Sequence, residues 1–230
     1  MINEVVIYGE RCSGTNYLEE LININFDARI TWVYGWKHFF GFNHYQGSDN
    51  TLFICIVRGL EPWLNSFFRK PHHLPLRYKK GLSHDQKVDE FLNKEFWSID
   101  DNNDKKGQGC LEIINDRNIY TKLRYKNIFE MRHVKIKYLK EDLPLKVKNH
   151  IFIKYEDLIN NFNDVMFKIL RRGLKVLHTN RNTFPKNTVN YKNTKSDKYV
   201  PNTTVFIKHE LIFNNPRFNE HYEKILGYYP

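Results

Sequence analysis

Between an apolar run, Val5-Val6-Ile7-Tyr8, and a helical pattern lies Gly9-Glu10-Arg11-Cys12-Ser13-Gly14-Thr15-Asn16. This stretch has the chemistry to meet an anion. The backbone N–H groups of a tight turn, and those of the helix that follows, are donors backed by the helix dipole. Ser13 and Thr15 add hydroxyls, and Gly14 lets the backbone approach a phosphate without a Cβ in the way. Gly9 and Gly14 have the spacing of the nucleotide loop GxxxxGK[ST]. Thr15, however, stands where the lysine belongs, and Asn16 stands where the magnesium-binding hydroxyl belongs. Such a loop can cradle a phosphate, but the missing pair disfavours an ordinary kinase or ATPase. The competing reading is a glycine-bearing strand–helix turn with no ligand.

Three further groups bear on the same chemistry. Arg58 ends the apolar run Thr51–Val57, and open α/β sheets bind ligands at the carboxyl ends of their strands. Ser66 follows eight positions later, about two helical turns on, so an arginine and a helix serine can share one phosphate. Tyr155-Glu156-Asp157-Leu158 stands where a strand enters a helix, with the acids complementing the dipole and Tyr155 free to face a ligand. Tyr34-Gly35-Trp36-Lys37-His38-Phe39 follows the second strand and offers a cation and an imidazole, whose usual pKa near ~6.5 suits a base at neutral pH. Glu10 is a fallback base, although dipole complementation also explains it.

The elements that must position these groups alternate. Strands are expected at residues 5–8, 30–34, 51–57 and 150–155. Helices are expected after the loop (Leu18, Leu21, Ile22), after Pro62, around Val88, Phe91 and Leu92, over 119–131, along the stripe Leu158 to Leu170 stopped at Gly173, and near 218–226. Residues 71–83, 100–109 and 180–204 read as loops. The alternation predicts an α/β fold on a mainly parallel sheet. Neither a repeat nor a linker breaks residues 1–230, which reads as one domain.

Composition narrows the classes. Apolar residues are 41% and aromatics 15%, enough for a core. No window reaches the ~20 apolar residues of a membrane span, and the first residues lack signal-peptide features, so a cytoplasmic location is expected. Three cysteines, Cys12, Cys55 and Cys110, fit neither a disulfide framework nor a zinc pattern. His72-His73 has no supporting ligand spacing, so no metal is expected. A net charge of +10 points to an anionic partner: a phosphate-bearing cofactor, an acidic glycan, a membrane surface or a nucleic acid. The absence of any nucleic-acid-binding signature disfavours the last.

The loop, the Arg58/Ser66 pair and the Tyr155 segment, in this order, resemble the P-loop sulfotransferases that use 3′-phosphoadenylyl sulfate (PAPS). The likeness covers roughly residues 5–70 and 150–172. It implies a three-layer α/β/α fold with about five parallel strands and an N-terminal phosphate-binding loop. It implies PAPS as donor, 3′-phosphoadenosine 5′-phosphate (PAP) as product, and no metal. Ser13, Gly14, Thr15 and Asn16 would hold the 5′-phosphosulfate, and Arg58 with Ser66 the 3′-phosphate. Tyr155 would lie toward the adenine. By the same likeness His38 would be the general base and Lys37 would stabilise the leaving phosphate. Many members carry a basic residue where this chain has Cys12, so Arg11 or Lys37 would supply that charge. Lys192 or Lys195 would close over the 3′-phosphate. The acceptor would be a hydroxyl or amine, with a carbohydrate as one candidate. The alternatives are an atypical P-loop kinase or nucleotide hydrolase, and a non-catalytic polyanion binder.

Overall fold

The computed structural model describes residues 2–100, 111–177, 184–186, 201 and 203–229. In chain order the elements are β1 (Glu4–Tyr8), α1 (Thr15–Asn25), β2 (Arg29–Ile30), β3 (Thr51–Val57), α2 (Leu60–Arg69), α3 (His84–Asn93), α4 (Ile128–Lys137), α5 (Leu143–Lys146), β4 (His150–Lys154), α6 (Tyr155–Asn160), α7 (Phe162–Leu170), α8 (His209–Phe213) and α9 (His221–Ile225). The chain divides into two compact units. The first comprises Met1–Gly59 and Leu139–Asn202, the second Leu60–Tyr138 and Thr203–Pro230. Among the described residues, no helix is long and apolar enough to cross a membrane.

The first unit is an α/β structure on a parallel sheet of four strands, ordered β2-β1-β3-β4. The resemblance implied about five strands; four form among the described residues. All seven residues of β3 are buried, as its unbroken apolar run requires of a central strand covered on both faces. On one face, Val5, Ile7, Leu52, Ile54, Ile56, Ile151 and Ile153 pack against the apolar stripes of α1, α6 and α7. Each fully buried Val, Leu or Ile side chain contributes roughly 1.5–3 kcal/mol. On the other face, Tyr34, Phe40 and Tyr45 bring their rings to Tyr8 and Phe53, at centroid distances of 5.1–5.9 Å for the Tyr8–Phe40, Tyr34–Phe53, Tyr45–Phe53 and Tyr8–Phe53 pairs.

That aromatic cover explains why β2 stops early. A strand was expected over 30–34, but pairing with β1 ends after Ile30 and one more bond, from Thr31 N to the Val5 carbonyl. Trp32 to Gly35 then turn, Val33 is solvent-exposed, and the Tyr34 carbonyl accepts from the Tyr8 hydroxyl. Alternating side chains at a sheet edge have been used for a loop that folds back over the sheet.

The expected helix from Leu158 to Leu170 is two helices. Asn161, at φ −120° and ψ 43°, breaks it between α6 and α7. Its stripe of Leu158, Phe162, Val165, Met166 and Ile169 still faces the core.

The second unit holds a larger departure. A helix was expected over 119–131, but α4 runs Ile128–Lys137, with the Asn127 side chain accepting from Glu130 N at 3.0 Å as its cap. This helix is buried nearly all round, and two of its buried side chains are cations. Lys135 donates to Asp116, which also accepts from the Ser98 hydroxyl. Arg132 forms a two-point pair with Glu223, at 2.5 Å and 2.8 Å, and its guanidinium lies 4.9 Å from the Trp63 ring. In the same unit, Ser83 and Gln86 close a capping box on α3. The Asn65 side-chain oxygen Oδ1 accepts from the backbone N–H of Phe206 and Ile207, tying that segment to α2.

Candidate functional site

The turn after β1 is held from several sides. Gly9 N donates to the Lys37 carbonyl at 3.0 Å, and His38 Nδ1 donates to the Gly9 carbonyl at 2.7 Å. A Cβ on Gly9 would stand 2.4 Å from the Ile56 carbonyl oxygen, so β3 leaves no room for a side chain there. Within the loop, Ser13 N and Ser13 Oγ both donate to the Glu10 carbonyl, at 3.1 Å and 2.5 Å. Ser13 is fully buried, so its hydroxyl closes the turn. Cys12 takes φ +64° and Gly14 φ +94°, two left-handed residues either side of Ser13 that turn the chain into α1. Gly14 caps α1 without a side-chain acceptor, and the first turn carries no acid, so the helix presents N–H donors and positive dipole at this point.

Tyr155 and Arg58 close the other side. A Cβ on Gly14 would meet the Tyr155 ring at 2.5 Å, and the Arg58 guanidinium lies 4.7 Å from that ring's centre. Arg58 Nη1 also donates to the Cys12 carbonyl at 3.3 Å. Three stretches singled out in the sequence, 9–16, 58 and 155, therefore meet around the N-terminus of α1. They meet because β1, β3 and β4 are neighbours and parallel, so their carboxyl ends share one edge.

The fourth stretch joins them. Lys37 is 4% exposed; its Nζ donates to Asn16 Oδ1 and pairs with Glu19 Oε2 at 2.9 Å. Its ammonium lies 5.3 Å from the ring centres of both Trp32 and Trp36. The Arg11 guanidinium, also buried, lies 5.7 Å from the Phe39 ring. Arg11, Lys37 and Arg58 thus gather at a turn that carries Glu10, with Glu19 on the adjoining helix α1.

The bond from His38 to Gly9 decides a protonation site. A carbonyl can only accept, so Nδ1 carries the hydrogen and the neutral ring keeps its lone pair on Nε2. That tautomer can take up a proton at Nε2 without losing its anchor.

Ser66 sits half-buried in the second turn of α2, in the second unit, whereas Arg58 belongs to the first. Lys192, Lys195 and Cys110 lie outside the described residues. Two residues here escaped the sequence reading. Glu19 looked like an ordinary polar position of α1, and its pairing with Lys37 spans 18 residues. Glu156 accepts from Gly59 N at 2.9 Å and pins the chain just after Arg58; its place in an acidic helix start was visible, but its partner was not.

The thiols differ in kind. Cys55, at the centre of the sheet, has its pKa pushed far up by burial, which removes it from thiolate chemistry. Cys12 is half-buried in the loop. Brief iodoacetamide treatment of the native protein, followed by peptide mapping, should modify Cys12 and spare Cys55 until the chain is unfolded. Native labelling of Cys55 would contradict its burial.

Among the described residues, no cluster of three or more His, Cys, Asp or Glu side chains is arranged to hold a metal ion. No family model matches the chain, and no curated protein matches its sequence.

Proposed function

We propose that this protein is a sulfotransferase that takes the sulfuryl group of PAPS to a hydroxyl or amine acceptor. The observation that supports it is the meeting of the 9–16 turn, Arg58 and Tyr155 at the uncapped start of α1, in a loop without the lysine of magnesium-nucleotide enzymes. On this reading the turn is a phosphate-binding loop, and the fold is the three-layer type with about five strands.

The α1 amides with Thr15 and Asn16 receive the 5′-phosphosulfate. Arg58 takes the 3′-phosphate, and Tyr155 lies toward the adenine. In the transfer, the acceptor oxygen or nitrogen forms a bond to sulfur in line with the breaking bond to the phosphate oxygen. The acceptor proton passes to His38 Nε2. The charge left on the phosphate of PAP is met by Lys37 and Arg11. A glycan acceptor suits the net charge of +10.

Titration calorimetry with PAP and AMP tests the donor reading, because the two differ in the 3′-phosphate. PAP should bind more tightly than AMP. Arg58→Ala should weaken PAP about ten- to a hundredfold, the worth of a charge-assisted hydrogen bond, and move AMP far less. Arg58→Lys should recover only part, since it keeps charge but loses the planar fork and the stack on Tyr155. Equal affinity of the wild-type protein for PAP and AMP, or no binding, would remove the proposal.

A further inference from the structure

Lys37 has an occupation that the donor reading does not use. Its ammonium is bonded to Asn16 and ion-paired with Glu19, and among the described residues Glu19 is the carboxylate it meets. Asn16 is the second residue of α1 and Glu19 the fifth, so the two lie on one face of the helix, one above the other. An anion held at the first turn of α1 would lie about one helical pitch, ~5.4 Å, from the Glu19 carboxylate. A lysine stem spans that difference by rotation about its own bonds, and two indoles already flank the ammonium.

We infer that Glu19 is a positioning residue that holds Lys37 parked beside the anion seat, and that a bound anion competes with Glu19 for the same ammonium. The inference rests on the donor reading for the identity of the anion, but not for the competition itself. Without an anion, Glu19 neutralises a nearly buried cation. With one, Lys37 slides toward the helix start and Glu19, whose side chain is 26% exposed, turns to water. Part of the anion's binding energy is therefore spent on breaking the pair. Removing the carboxylate charge releases it.

The test is a double-mutant cycle on anion affinity, titrating PAP and inorganic pyrophosphate separately into wild type, Glu19→Gln, Lys37→Met and the double variant. Glu19→Gln preserves the size of the side chain, and Lys37→Met keeps an unbranched aliphatic stem. Glu19→Gln should tighten both anions by about three- to tenfold, the scale of a partly exposed ion pair to a charged group. That gain should shrink when Lys37 is already Met. Tryptophan emission should change on anion binding in wild type, through Trp32 and Trp36, and respond less in Lys37→Met. A gain that is equal or larger without Lys37 would mean that Glu19 acts only as a repelling charge, and would overturn the inference. So would a loss of affinity in Glu19→Gln, or a failure of both anions to bind. Pyrophosphate binding with the expected cycle, but no PAP binding, would uphold the Glu19 role and remove the PAPS donor instead.

Discussion

His38→Asn should release PAP from PAPS, with water as the acceptor, about 10²–10⁴ times more slowly than the wild type, the usual contribution of a positioned general base. The choice of asparagine follows from the geometry. His38 uses Nδ1 to donate to the Gly9 carbonyl at 2.7 Å, and an asparagine amide can reproduce that donor while offering no basic lone pair. The substitution therefore separates two roles that alanine would confuse. If the imidazole only fastens the 37–38 segment to the loop, Asn should restore nearly full turnover. If it accepts the acceptor's proton, Asn should be as slow as Ala while PAP affinity stays within about threefold of wild type. Near-normal turnover in His38→Asn would end the base assignment and bring Glu10, buried beside the same turn, forward in its place.

Asp116→Ala should cost about 3–5 kcal/mol, a large part of the ~5–15 kcal/mol that holds a domain together. Asp116 and Lys135 are almost wholly enclosed, with side chains 0% and 2% exposed, and the carboxylate also accepts from the Ser98 hydroxyl. Removing the carboxylate takes this acceptor away from a buried ammonium and a buried hydroxyl. The cost lies in that buried charge rather than in the strength of the pair. A double variant, Asp116→Leu with Lys135→Met, should accordingly be far less harmful than either single change. Urea unfolding reads both outcomes as shifts of the midpoint. The Lys79–Glu90 pair in the same unit is the control: its side chains are 40% and 27% exposed, and Glu90→Ala should cost at most about 1 kcal/mol. A mild effect for Asp116→Ala would show that water reaches Lys135.

Both predictions depend on pairings of very different legibility. The strand Thr51–Val57 was readable residue for residue, because a central parallel strand is apolar on both faces and needs no partner to announce itself. The start of α1 was equally plain, since Leu18, Leu21 and Ile22 repeat at helical spacing and are all fully buried. The helix α4 was displaced in the reading for the opposite reason. Its buried face includes Arg132 and Lys135, so a search for an apolar stripe slides toward the apolar residues before it. Asn127 and Glu130, three apart, were the available signal: a cap and a first-turn acid that mark the true start. The edge strand β2 was overread because Ile30 to Tyr34 alternates like a strand while its rings serve the face of the sheet.

For the site the division is similar. The glycines of the turn, the arginine closing β3 and the tyrosine opening α6 are properties of short stretches, each set by a strand end or a helix start. Their meeting is a property of strand order: only with β1 between β2 and β3, and β4 beside β3, do Gly14, Arg58 and Tyr155 touch. The tautomer of His38 and the pairing of Lys37 with Glu19 lie further from the sequence. They join residues 29 and 18 positions apart, through the path of the loop that covers the sheet. Local periodicity records which side chains an element buries. Which charged or polar groups then face each other is set by the packing of elements distant along the chain, where one shifted turn would exchange every partner.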